Sequence, residues 1–169
     1  MDSNDLCFTT ARKLATLIAN GHVSAKEATE AVLERIESID PKINSYITVC
    51  ADEAIAEAEA ADRAQVRGDT LGPLHGVPLG VKDVLNTKGV KTTFASHAFA
   101  NNIPNVDCVS IARLRAAGAI LIGKTTTPEF GHKPMTEAPL FGKTRNPWNL
   151  ECTSGGSSGG AAAATAAGL

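Results

Sequence analysis

Apolar positions in the first seventy residues recur at helical spacing. Between Thr10 and Asn20, Leu14, Leu17 and Ile18 fall on one face, and Gly21 follows as a stop. Ser24-Ala25-Lys26-Glu27 has the form of a capping box, with Val23 ahead of it placed to staple onto Ala28. The helix it opens carries Val32 and Ile36. It is expected to stop before Asp40-Pro41, because a proline disfavours helical backbone in the residue before it. Ile43 to Val49 reads as extended. Ala51 to Arg67, rich in Ala and Glu and closed by Gly68, predicts a third helix.

After residue 70 the pattern changes. Val77 to Lys82 is a short apolar run bounded by Pro and Gly, the form of a buried strand. Val109 to Ala117 returns to helical spacing through Ile111, Ala112 and Leu114 and closes at Gly118. Ala119 to Gly123 is a compact apolar run of strand type. From Thr125 to Thr153, Pro, Thr, Asn, Lys and Gly dominate, and the stretch reads as long, ordered loops. An Ala-rich helix former then runs to Leu169. This succession predicts a layered α/β fold, with residues 1–70 as a mainly helical segment and 71–169 as the start of a sheet-containing core.

Composition narrows the classes without choosing among them. The chain has 169 residues, 43% hydrophobic and 20% charged, enough for one globular domain with its own core. A net charge of −2 leaves no electrostatic footprint for nucleic acid or an anionic membrane. No apolar run is long enough to span a bilayer, and the acidic start Met1-Asp2-Ser3-Asn4-Asp5 does not read as a signal peptide. Cys7, Cys50, Cys108 and Cys152 are scattered, which predicts neither a zinc site nor a disulfide framework. They are expected to serve as small hydrophobes in a reducing, cytoplasmic setting. His22, His75, His97 and His132 show no metal-ligand spacing.

The chemistry concentrates in Thr153-Ser154-Gly155-Gly156-Ser157-Ser158-Gly159-Gly160, directly ahead of the Ala-rich helix. Four glycines let backbone N–H groups and two hydroxyls approach a ligand, and the helix N-terminus behind them favours anionic or oxyanionic species. The loop matches neither the P-loop nor the dinucleotide fingerprint, which disfavours phosphate binding. Upstream, Gly76-Val77-Pro78-Leu79-Gly80-Val81-Lys82-Asp83 carries a lysine 75 positions before Ser157. Taken alone, Lys82 reads as a solvated surface lysine and Ser157 as an ordinary loop serine. Asp83, on the opposite face of a strand from Lys82, reads as a structural hydrogen-bonding residue.

Together these segments, with Thr92-Thr93-Phe94-Ala95-Ser96, Gly123-Lys124-Thr125, Phe141-Gly142 and Asn146-Pro147-Trp148-Asn149, resemble the amidase signature family. The resemblance covers the chain from about Ser24 onward. It implies an α/β/α layered fold with a mixed sheet, of which residues 1–169 would form a single incomplete domain. It also implies hydrolysis of a carboxylic amide to acid plus ammonia or amine by a Ser–Ser–Lys triad, with no metal or organic cofactor. A small-molecule amide would be the substrate, with neither nucleic acid nor membrane as a partner.

Residue by residue, the resemblance makes Lys82 the base and Ser157 the proton-bridging serine that follows a cis peptide from Gly156. Ser158 is left either as a support of the triad or as the N-cap of the Ala-rich helix. Gly131 and His132 fall in a segment that lines the substrate pocket of relatives, although a surface loop position suits His132 as well. Trp148 is expected to pack its loop. The acyl-forming serine and the oxyanion donors of the family are expected beyond Leu169, so the 169-residue chain is expected to be inactive by itself and to expose a sheet edge.

Two alternatives accompany that reading. The glutaminase subunit of a tRNA-dependent amidotransferase shares all these motifs, but Thr126-Thr127-Pro128-Glu129-Phe130-Gly131-His132 is closer to free-standing amidases. A catalytically dead remnant serving as a binding or scaffold module is the alternative of another class.

Overall fold

The computed structural model describes residues 2–169 and begins with helices. α1 (Ser3–Cys7) is a short capped turn that sequence periodicity did not reveal, with Asp2 accepting from the Asp5 amide at 2.7 Å. α2 (Ala11–Ala19) is capped by the Thr10 hydroxyl. α3 (Ala25–Ile43) opens with the expected reciprocal capping box of Ser24 and Glu27.

Contrary to expectation, α3 does not stop ahead of Asp40-Pro41 but continues to Ile43 and ends at Asn44 in the left-handed region. Pro41 lies in the last turn, where its missing N–H removes only one intrahelical bond. The Asp40 carboxylate offsets that loss by accepting from the Ser45 amide and hydroxyl and from the Tyr46 amide, tying the helix end to the following strand.

That strand is β1 (Tyr46–Val49), followed by α4 (Ala51–Arg67, closed by Gly68), β2 (Pro78–Lys82), α5 (Val109–Ala116) and β3 (Ile120–Thr125). β3 is the central strand and is buried along its whole length. β1 pairs with it antiparallel and β2 parallel, so the sheet is mixed. On one face Ile120 and Ile122 pack with Leu14, Ile18, Ala28 and Ala54 from the helices before β2. On the other, Leu121 packs with Val81 and with Ile111 of α5. Helices on both faces of one sheet make the layered α/β/α arrangement.

The pairing of β2 with β3 slips by one residue: Leu79 lies opposite Leu121, but Gly80 lies opposite Gly123. Such a bulge reverses the alternation of side chains beyond it. Lys124, opposite Val81, therefore lies on the Val81–Leu121 face and not on that of Ile122.

Residues 125–153 are not loop throughout. β4 (Glu137–Ala138) pairs with β5 (Gly142–Lys143), and β6 (Arg145–Asn146) with β7 (Asn149–Thr153), as two small antiparallel hairpins. Strands this short carry no readable periodicity. Trp148 sits at the turn of the second hairpin, 86% exposed, and does not pack the loop as expected. Its amide instead closes the turn onto the Asn146 side chain at 3.0 Å. Cys152, exposed on β7, is likewise no core hydrophobe, whereas Cys50 is buried.

α6 (Gly159–Ala167) packs across β2 and β3, with Ala163 and Ala167 against Ile43. Gly160 lies so close to Thr126 that a Cβ there would collide with that residue's backbone amide and carbonyl. Small residues thus let α6 settle on the end of β3, which fixes the serine loop ahead of it. Gly160→Ala is expected to lower stability by about 1–3 kcal/mol through overpacking. Ala162→Gly, at an exposed position of the same helix, should cost no more than about 1 kcal/mol. Urea denaturation of the two variants checks this.

Candidate active site

β2 delivers Lys82 as its last residue, at the C-terminal end of the strand and beside Thr125 of β3. Crevices at the carboxyl ends of parallel strands are where α/β sheets bind ligands. The Lys82 Nζ donates to Ser157 Oγ at 2.7 Å and to Ser158 Oγ at 3.0 Å. Lys82 is half-buried rather than fully enclosed, and that burial holds its amine below the ordinary lysine range.

The loop carrying the serines is held from several sides. Thr127 Oγ1 donates to the Ser157 carbonyl at 3.1 Å, and the Gly159 amide donates to Thr136 Oγ1 at 3.0 Å. Gly155 takes φ 77°, and the Gly156–Ser157 peptide is cis, as the family resemblance implies. Ser158 occupies the N-cap position of α6, but its hydroxyl makes no capping bond and accepts from Lys82 instead. The geometry therefore favours a supporting role beside the lysine over the capping alternative.

Gly131, at φ 69°, borders the same point: a Cβ there would lie 3.9 Å from both Lys82 Nζ and Ser157 Oγ. His132 next to it is exposed, and its Nδ1 pairs with the Glu129 carbonyl within its own turn. The structure therefore brings Lys82, Ser157, Ser158 and Gly131 together, while the His132 ring is engaged outside the lysine–serine contact. Phe94, Phe99 and Phe130 form an aromatic cluster beside Gly131, with ring centroids 5.3–6.1 Å apart.

Lys124 and Thr127, behind the site, were not legible as functional in the sequence. Lys124 is fully buried, its amine pushed down to about 8 by desolvation, against the opposing charge of Asp83 at 3.8 Å. Asp83 is also fully buried; burial pushes its carboxyl up while Thr93 hydrogen bonds and Lys124 counter that shift. Asp83 thus behaves as the structural hydrogen-bonding residue that strand alternation indicated. For Lys124 the sequence signals were its place in the Gly123-Lys124-Thr125 motif and a charge directly abutting an apolar run. Thr127 was legible only as a threonine in a run following that strand.

A neutral amine next to a serine hydroxyl can accept that hydroxyl's proton, and the serine can then take a proton from a third group. The arrangement is a relay, suited to activating a weak oxygen nucleophile.

Comparison with known proteins places the chain in a family. The family described as Amidase matches residues 27–169. The chain is 50% identical over 158 residues to a glutamyl-tRNA(Gln) amidotransferase subunit of Geotalea daltonii, covering 94% of this chain and 32% of that protein. The corresponding subunit of Moorella thermoacetica is 46% identical over 164 residues, covering 97% and 34%. The chain thus spans about a third of the length of the curated relatives it matches.

Among solved structures, an inhibitor-bound vestigial protein complex described as revealing the origins of an s-triazine catabolic enzyme superposes with a TM-score of 0.91 at 37% identity. It covers 95% of this chain and 35% of that one. A bacterial aryl acylamidase of the amidase signature family superposes at 0.88 with 32% identity, covering 92% and 33%. With a family match over most of its length, the same layered fold and a lysine–serine contact at its centre, the chain belongs to the amidase signature family.

Proposed function

We propose that residues 1–169 form one unit, the first part of an amidase domain, and that Lys82 and Ser157 are its proton relay. The observation that carries this reading is the pair of contacts from Lys82 to Ser157 and Ser158, with an amine that burial biases toward neutrality. As a nucleophilic hydroxyl attacks the amide carbonyl, its proton passes to Ser157 Oγ while the Ser157 proton passes to Lys82. The resulting ammonium returns a proton through Ser157 to the departing nitrogen, which leaves as ammonia or amine. Water or another acceptor then takes the acyl group.

For the amide itself, the curated relatives favour a carboxamide donor such as glutamine, in a protein that supplies ammonia to a tRNA-dependent amidotransferase. In that role the partners would be glutamyl-tRNA and a companion subunit. A free-standing amidase acting on an apolar amide is the second reading, favoured by Pro128-Glu129-Phe130-Gly131-His132 and by the three phenylalanines beside Gly131.

A chimera in which residues 1–169 replace the matching segment of the Geotalea daltonii protein separates the two. Ammonia release from glutamine is expected; turnover confined to an aryl amide would install the second reading. Lys82→Ala in the chimera should lower kcat by at least on the order of 10²-fold, the scale of a lost acid–base group. A near-normal rate would remove Lys82 from the mechanism.

The pH profile supplies a further expectation. Protonated Lys82 cannot accept a proton, and its folded-state pKa lies below the ordinary lysine value. Activity should therefore be lost as pH falls through that lowered pKa and rise above it, a limb absent in Lys82→Ala. Residues 1–169 alone should turn over neither amide, since the family's acyl-forming serine is expected outside them. Turnover by residues 1–169 that disappears in Ser157→Ala would make Ser157 the nucleophile and overturn its bridging role.

A further inference from the structure

Lys82 projects from the end of an edge strand of the three-stranded sheet, and the segment that follows it, residues 83–93, has no regular secondary structure except turns. Yet this segment adjoins the residue whose amine must point at Ser157. Residues 102–108 hold it from outside, through Gly89 to Pro104, Thr92 to Asn102 and Lys88 to Asp107, and Lys124, on the neighbouring strand, holds it from within. The three N–H bonds of the fully buried Lys124 amine reach the Leu85 carbonyl at 2.7 Å, Thr92 Oγ1 at 2.7 Å and Thr87 Oγ1 at 3.0 Å. Each threonine hydroxyl donates its own proton to a nearby carbonyl, Thr87 to Leu85 and Thr92 to Val90, and so presents lone pairs to the ammonium. One atom thereby pins three points of the segment.

The fourth neighbour of that amine is Asp83, the residue next to Lys82. Its Oδ1 is buried without a hydrogen bond and faces Lys124 at 3.8 Å, while its Oδ2 accepts from the Thr93 amide at 3.0 Å and from the Thr93 hydroxyl. The chain of bonds continues outward. Thr93 Oγ1 accepts from the Ala95 amide at 3.0 Å, the Asp83 carbonyl from the Phe94 amide at 3.0 Å, and the Phe94 carbonyl from the Phe130 amide at 2.9 Å. Phe130 precedes Gly131, which borders the lysine–serine contact. A continuous path therefore runs from Lys124 to both sides of that contact, to the Lys82 backbone through Asp83 and to Gly131 through Phe94 and Phe130.

We infer that Lys124, Asp83 and Thr93 are positioning residues that hold the Lys82 amine against Ser157 and Ser158. The inference rests on Lys82 and Ser157 being the relay, but its test needs no turnover. An amine held against the two serines stays partly dehydrated; an amine released into solvent regains water and titrates closer to an ordinary lysine.

The experiment is an NMR titration of the Lys82 side chain in the 169-residue protein, its signal assigned by its loss in Lys82→Arg. Two variants leave the charge balance unchanged. Thr93→Val keeps the shape and removes the hydroxyl that joins Asp83 to Ala95. Asp83→Asn/Lys124→Met removes one charge of each sign, so that no unpaired ion is left buried. In both, amide spectra and thermal melts establish that the fold persists, and Thr93→Ser serves as the conservative rescue.

The Lys82 titration is expected to move up by about one pH unit in Thr93→Val and in the double variant, and to return toward the original value in Thr93→Ser. Folded variants in which Lys82 titrates as before would overturn the inference, and if the double variant does not fold, Thr93→Val decides alone. Failure of the relay itself would show differently: the titrations shift as stated while Lys82→Ala retains turnover in the chimera.

Discussion

A lysine amine caught between two serine hydroxyls can be uncharged at working pH only where water is partly excluded, and the rest of the structure serves that condition. Lys82 and Ser157 stand 75 positions apart in sequence. Their contact therefore depends on long-range packing rather than on a local turn. The parallel pairing of β2 with β3 fixes where Lys82 emerges, and α6 resting on both strands fixes where the serine loop ends. Gly160 against the Thr126 backbone sets how closely those two parts approach.

Polar residues at the end of β3 act as spacers between an apolar sheet and a reactive edge. Thr126 donates its amide to the Ser45 carbonyl at 2.8 Å and pairs its hydroxyl with Thr144 at 2.6 Å, while Thr127 reaches the Ser157 carbonyl. Threonines suit this place because they satisfy buried backbone groups without bringing in charge. The exception is Lys124, whose amine stays buried at the cost of a lowered pKa. Removing one member of such a pair leaves an uncompensated buried charge, which is why Asp83 and Lys124 behave as one unit with the segment around them.

Much of the fold was legible because strong local signals agreed with one another. The capping box at Ser24, the left-handed Gly68 and the Ile120–Ile122 run each marked an element that formed as expected. Pro41 misled because helix-breaking rules weigh the proline and not the Asp40 carboxylate that secures the helix end. The two hairpins between residues 137 and 153 were invisible because their strands are too short for alternation. Lys82, Ser157 and Ser158 could be paired only through the family motifs, since neither strand nor loop alone betrays a contact across the chain. Lys124 was hidden by the bulge in β3: simple alternation puts it on the face of Ile120 and Ile122, whereas the slipped register turns it toward Asp83.

The central claim is that Lys82 and Ser157 act as one relay rather than as two independent contributors, and a double-mutant cycle on turnover tests it most directly. The chimera with the Geotalea daltonii protein would be assayed as wild type, Lys82→Ala, Ser157→Ala and the double variant, with folding checked for each. Members of one proton path lose the path together, so the double variant should be about as slow as the slower single variant. Losses that multiply, the double variant falling by the product of the two single effects, would contradict the relay and leave the contact between Lys82 and Ser157 a structural one.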